Sequence, residues 1–142
     1  MKNYVVGFVF SKDFESVLLM HKNRPDWQKG LVNGLGGKVE EGESIHACVK
    51  REIYEECGLV TTEEQWIRSG KIYSPTMVVD FFGTTHDGEM SDAVTKEDEE
   101  VEWFKVNNLP HNLVENITWL IHITLDKLKN NHFEAFEVAY KI

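Results

Sequence analysis

The chain has 142 residues, 42% hydrophobic and 27% charged, which suits one globular domain with a real core. Its net charge of −9 weighs against gripping a nucleic-acid polymer, since that needs many Lys and Arg contacts with phosphates, but leaves room for one nucleotide bridged to carboxylates by a cation. No apolar run nears the ~18 residues of a membrane span, and MKNYVVGFVFSKDF lacks a small-residue cleavage site, so neither membrane contact nor a signal peptide is expected.

YVVGFVF, Tyr4 to Phe10, is rich in β-branched and aromatic residues and predicts a buried strand; SVLLMHK, Ser16 to Lys22, is its neighbour across SKDFE. NRPDWQKG is a loop, in which Trp27 beside Arg24 and Lys29 either flanks a base or phosphate or simply anchors the loop. LVNGLGGKVEEGES predicts a strand end running into a glycine-rich loop. A helix is expected from about Ser44 to Cys57, capped by Ser44, with Gly58 just past its end and Ile45, Val49, Ile53 and Cys57 as its apolar stripe. On that helix Cys48 and Cys57 stand ~13 Å apart along the axis, too far for a disulfide, so reduced thiols and a cytoplasmic location are expected. TTEEQW carries a capping-box pattern from Thr61 to Glu64.

KIYS and MVVDFFGTTH predict two strands separated by Pro75, and DGEMSDAVTKEDEE an acidic loop. VEWFKV predicts a strand. A second helix is expected from about Leu113 to Lys129, its buried face made by Leu120, Ile123 and Leu128 and taking in Trp119. HFEAFEVAYKI, alternating Phe136, Val138, Tyr140 and Ile142, closes the chain as a strand. No repeat, linker or low-complexity tract divides residues 1–142, so the expectation is a single α/β domain with a mixed sheet and at least two helices. The six histidines are dispersed and offer no metal pair.

The chemistry concentrates between Gly36 and Val60. Glu52, Glu55 and Glu56 share one helix face, where like charges repel unless something offsets them. A hard divalent cation takes oxygen ligands from one or two carboxylates and from substrate phosphates. Gly36 and Gly37 let backbone approach such a site closely. Arg51, four residues before Glu55, is placed to hold that carboxylate. Taken alone, the helix face is open to two readings, a solvated surface with Lys50 and Arg51 as partners or a cation site.

The spacing of the whole segment decides between them. Gly37, five residues, Glu43, seven residues, then Arg51-Glu52-Ile53-Tyr54-Glu55-Glu56-Cys57-Gly58-Leu59 resembles the Nudix box at every defined position. The resemblance implies a Nudix-type α/β/α sandwich with a mixed sheet. It also implies Mg²⁺- or Mn²⁺-dependent hydrolysis of a nucleoside diphosphate linked to another moiety, with a small nucleotide as the partner. It assigns metal binding to Glu52, Glu55, Glu56 and the Gly37 carbonyl, and catalysis to the same acids with Arg51 orienting a glutamate. Glu43 supports the loop. The family often adds an acid from a loop ahead of the Trp strand, and Glu97, Asp98 and Glu99 all qualify by position.

Asn33-Gly34-x-Gly36-Gly37-Lys38 is similar to the mutator-type 8-oxo-dGTP pyrophosphatases, which places Asn33 and Lys38 at the substrate. In that subfamily an acidic pair ahead of a Trp reads the base; here the matching residues are Glu115 and Asn116, one acid and one amide. The expected function is therefore a pyrophosphohydrolase of nucleoside triphosphates, including oxidised purine forms. The alternative is a Nudix hydrolase of ADP-ribose, dinucleoside polyphosphates or a capped RNA end. A non-catalytic nucleotide-binding module is disfavoured because every box glutamate is present.

Overall fold

The computed structural model of the chain describes residues 1–141. In chain order the elements are β1 (Lys2–Ser11), β2 (Ser16–His21), β3 (Val32–Asn33), β4 (Leu35–Lys38), α1 (Ile45–Cys57), β5 (Ile67–Tyr73), β6 (Met77–His86), β7 (Val101–Lys105), α2 (Ile117–Asn130) and β8 (Phe136–Ala139).

Alternation along β1 divides the core. Val5 and Val9 face one side of the sheet, where they pack with Val49, Ile53 and Cys57 of α1 and with Trp66; Phe8 and Phe10 face the other, with Ile117, Leu120 and Ile121 of α2. The two helices therefore cover opposite faces, giving the expected α/β/α layering. β1 pairs along its whole length with parallel β6. On its other flank the C-terminal half pairs with antiparallel β2 and the N-terminal half with antiparallel β4. β2 carries β3 and β7, while β5 and then β8 extend the sheet beyond β6. The sheet is mixed.

Local signals account for α1. Ser44 Oγ accepts from the Ala47 amide, a cap contributing about 1 kcal/mol, and Gly58 ends the helix in the left-handed region at φ 80°. Cys48 and Cys57 are free and buried; burial pushes their thiols up to about 12 and 11, so neither offers a thiolate near neutral pH.

Long-range pairing alters the other expectations. The segment Leu35–Lys38 is itself a strand, because β1 supplies a partner for a glycine pair that local propensity would leave as loop. α2 begins at Ile117, not near Leu113, since Leu113 is drawn into a parallel bridge with Val32 and Asn116 turns left-handed at φ 76°. The reciprocal capping bonds join Thr62 and Gln65, while Thr61 Oγ1 accepts from the buried Trp66 indole instead. The strand expected at KIYS starts at Ile67. Ile123 and Leu128 are only half-buried, and Trp119 is 38% exposed; the buried face of α2 runs through Ile117, Leu120, Ile121, Thr124 and Leu125. β8 ends at Ala139, and Ile142 lies outside the described residues.

Candidate active site

α1 lies against β4, and the contact is made by carboxylate on glycine. A Cβ on Gly37 would stand 2.5 Å from Glu52 Oε1, so the absent side chain leaves the space that the carboxylate fills. Glu56 is 6% exposed, and its Oε1 accepts from the Gly36 amide at 2.9 Å. Burial, and then the neighbouring Glu52, push Glu56 up to about 8. Burial also raises Glu52, with Glu55 and Glu97 adding to the rise against the pull of Arg51. Glu55 is the outermost of the three, about half exposed.

Arg51 ties the cluster together. Its Nε and Nη2 donate to the two oxygens of Glu43 at 2.7 and 3.0 Å, and its Nη1 donates to Glu52 and to Glu55, each at 3.0 Å. The Arg51 guanidinium holds Glu43 down at about 2. The Lys38 carbonyl also accepts from Nη2, at 3.3 Å.

The three acids of the loop before β7 separate by their partners. Glu99 is buried and accepts from Lys22 Nζ at 3.1 Å and from the Asn23 and Arg24 amides at 2.7 and 3.3 Å. Burial opposes its charge, but the Asn23 amide and Lys22 still hold its carboxyl below the usual range. Asp98 forms a two-bond pair with Arg24, 2.8 Å on each side, so Arg24 is not free to meet a phosphate as its place in the sequence implied. Glu97 stays exposed, and its charge bears on Glu52 and Glu56.

A cavity of about 400 Å³ opens on the α2 face, and its wall includes Gly36 and Gly37, the two glycines that Glu56 and Glu52 contact. Strand register builds its floor. Ile72, Val79 and Tyr4 lie in one row, and Phe81 and Val6 in the next, opposite Gly36. Asn33, Trp27, Glu115 and Asn116 all line it, whereas Lys38 does not; its side chain is exposed on β4. Asn33 is held by the Gly34 amide on Oδ1 and by Gln28 on Nδ2. Trp27 is 66% exposed, so it stands over the cavity rim and does not anchor its loop. Composition missed Tyr4, Val6, Ile72, Val79 and Tyr140 as lining residues, because apolar alternation reads the same for a core and for a pocket wall. Register also brings His21, Glu100 and Glu102 together, with their candidate ligand atoms within 4.8 Å of one another; the His21 imidazole is already hydrogen-bonded to Glu102 at 2.7 Å.

The model of the NUDIX domain matches residues 1–122. The chain belongs to the Nudix family. Among solved structures, a Nudix hydrolase from Nitrosomonas europaea superposes with a TM-score of 0.79 at 15% identity, covering 99% of this chain and 79% of that one. A structure from a study of MutT from Aliivibrio salmonicida and Vibrio cholerae superposes with a TM-score of 0.69 at 24% identity, covering 88% and 98%. These likenesses show a Nudix fold. Curated Nudix relatives include an NAD-capped RNA hydrolase, NudC, of Stutzerimonas stutzeri, 33% identical over 65% of this chain and 33% of its own length. An ADP-ribose pyrophosphatase of Methanocaldococcus jannaschii is 32% identical over 74% of this chain and 63% of its own. The chain thus spans about a third of the NudC relative that it matches. Among the described residues no helix is long and apolar enough to cross a membrane.

Proposed function

We propose that this chain is a divalent-cation-dependent hydrolase of a nucleoside diphosphate linked to a second moiety, with an ADP-ribose- or NAD-like pyrophosphate as substrate. The observation that carries this is that Gly36 and Gly37 are shared by two features: they contact the Glu56 and Glu52 carboxylates, and they form part of the wall of a largely apolar cavity of nucleoside size. The donor set fits a hard cation. It consists of the Glu52, Glu55 and Glu56 carboxylates with the Gly37 carbonyl, and it contains no sulfur or imidazole. Burial and mutual repulsion raise Glu52 and Glu56, which is the strain a cation relieves.

Bound there, Mg²⁺ or Mn²⁺ would neutralise phosphate charge and acidify a water. The chain's own residues do the rest. Gly36 N–H fixes one oxygen of Glu56, leaving the other to the site. Arg51 sets the direction of Glu52 and Glu55 from the fixed base of Glu43. Glu97 is the loop acid that remains to face the cluster, while Asp98 and Glu99 hold the residue 22–24 loop. Accordingly, Glu97→Gln should lower kcat by about 10²-fold, the lower edge of what a positioned carboxylate contributes. Asp98→Asn should change kcat less than twofold. Equal losses in the two variants would end the distinction.

The relatives above 30% identity bear names that involve ADP-ribose and NAD caps, and this favours a diphosphate-linked substrate. A triphosphate, including an oxidised purine form, is the second reading, supported by Glu115 and Asn116 in the cavity wall. A Mg²⁺-dependent release assay separates them, using ADP-ribose, NAD, NAD-capped RNA, 8-oxo-dGTP and the ordinary dNTPs. Turnover of ADP-ribose or NAD with AMP as product is expected. Pyrophosphate release from triphosphates alone would establish the second reading, and turnover of capped RNA but not NAD would bring in a polymer partner.

A further inference from the structure

The chain's last described residues reach back across the cavity. β8 adds to β5 in parallel, the Tyr140 amide donates to the Tyr73 carbonyl at 2.8 Å, and the Tyr140 ring joins the cavity wall beside Asn116. Phe136 secures this segment: its ring lies over Gly70 and packs against Trp119, with centroids 5.6 Å apart.

The polarity of the next contacts follows from donor chemistry. Trp119 Nε1 donates at 3.0 Å to the Asn116 side chain. An indole N–H can only donate, so the atom it meets is the amide oxygen. The amide nitrogen of Asn116 must then face the Tyr140 hydroxyl, where it donates to the phenolic oxygen. With that oxygen accepting, the hydroxyl hydrogen is turned away from Asn116. A Trp119→Asn116→Tyr140 relay thus sets one hydroxyl as a donor at the cavity wall.

We infer that Tyr140 is a specificity-determining residue, whose hydroxyl donates to an acceptor atom on the base held in the cavity, such as a purine ring nitrogen. This rests on the proposed nucleoside site. Glu115, on the same cavity wall, offers acceptor oxygens, the opposite polarity to the Tyr140 hydroxyl.

Asn116→Asp reverses the relay. One Asp oxygen still accepts from Trp119, and the other now accepts from Tyr140, taking the hydroxyl hydrogen away from the ligand. Asp also tolerates the left-handed backbone at this position. AMP binding, measured by calorimetry, should weaken roughly three- to tenfold in Tyr140→Phe and by a similar factor in Asn116→Asp. The double variant should bind no more weakly than either single one, because both remove the same hydrogen bond. Singles that bind AMP within twofold of the parent protein would overturn the inference while leaving the site intact. So would losses that multiply in the double variant, which would point to added charge or lost packing. If the parent protein binds no AMP, and Trp27→Ala leaves the KM of its substrate unchanged, the nucleoside site itself falls and the inference with it.

Discussion

Glu56→Gln is expected to lower turnover by about 10²–10⁴-fold, the range for a catalytic carboxylate, with the fold retained. Glutamine keeps the volume and an oxygen for the Gly36 amide, so the α1–β4 contact survives. What it loses is the negative charge. The same charge predicts an unusual stability profile. Glu56 stands at about 8 in the folded chain against an ordinary carboxylate value of 4.5 when unfolded. The unfolded chain therefore releases this proton first as pH rises. Its contribution to stability is full below pH 4.5 and falls steadily until about pH 8. In chelator, Glu56→Gln should melt higher than the parent protein at pH 8, and the two should converge near pH 5. Added Mg²⁺ should restore the parent protein at pH 8 more than it does the variant, since cation binding favours the ionised carboxylate. Thermal melts at pH 5 and 8, with and without Mg²⁺, check all three points. A Gln variant that retains full turnover would remove Glu56 from the chemistry.

Arg51→Ala should cost both stability and rate. The guanidinium makes a two-bond pair with Glu43 and one bond each to Glu52 and Glu55, and no alanine can replace any of them. Loss of this partly buried pair should destabilise the chain by roughly 2 kcal/mol at pH 7, about half the cost of breaking a fully buried one. Glu43 is the mirror image of Glu56. Arg51 depresses it to about 2, so the stability it contributes is present above pH 4.5 and disappears as pH falls through 2. The gap between parent and variant should therefore narrow on acidification, as denaturant titrations at pH 7 and pH 3 would show. Turnover should fall about 10²-fold, as a Glu52 freed from its fork shifts within the site. Arg51→Lys should recover little, because an ammonium cannot bridge three carboxylates as a planar fork does. Full recovery by lysine would mean that charge alone matters here.

Local chemistry made the central helix readable. Ser44, Gly58 and the stripe of Val49, Ile53 and Cys57 act within a few residues of one another, and the glutamate spacing follows from the helical period. The NUDIX match agrees with the box read from Gly37 to Leu59. What separates Glu97 from Asp98 and Glu99 was not readable. The partners that hold Asp98 and Glu99 are Lys22, Asn23 and Arg24, about 75 residues away in sequence and brought near by the pairing of β2 with β7. Leu113 misled for the same reason: a helix-forming sequence was captured by a bridge to Val32. Tyr140 read as one more apolar position in an alternating strand, and only the parallel pairing of β8 with β5 brings it to Asn116.

Glu99 has a consequence for transplanting parts of this protein. Its carboxylate is clasped by Lys22 and by the Asn23 and Arg24 amides, just ahead of Trp27 on the cavity rim, while Glu97 sits two residues along the same chain segment. Residues 22–24 and 98–99 thus hold each other in place. A chimera that takes one from a relative and leaves the other would misplace an aromatic ring and an acid together, and only the paired exchange would carry over a working change of preference.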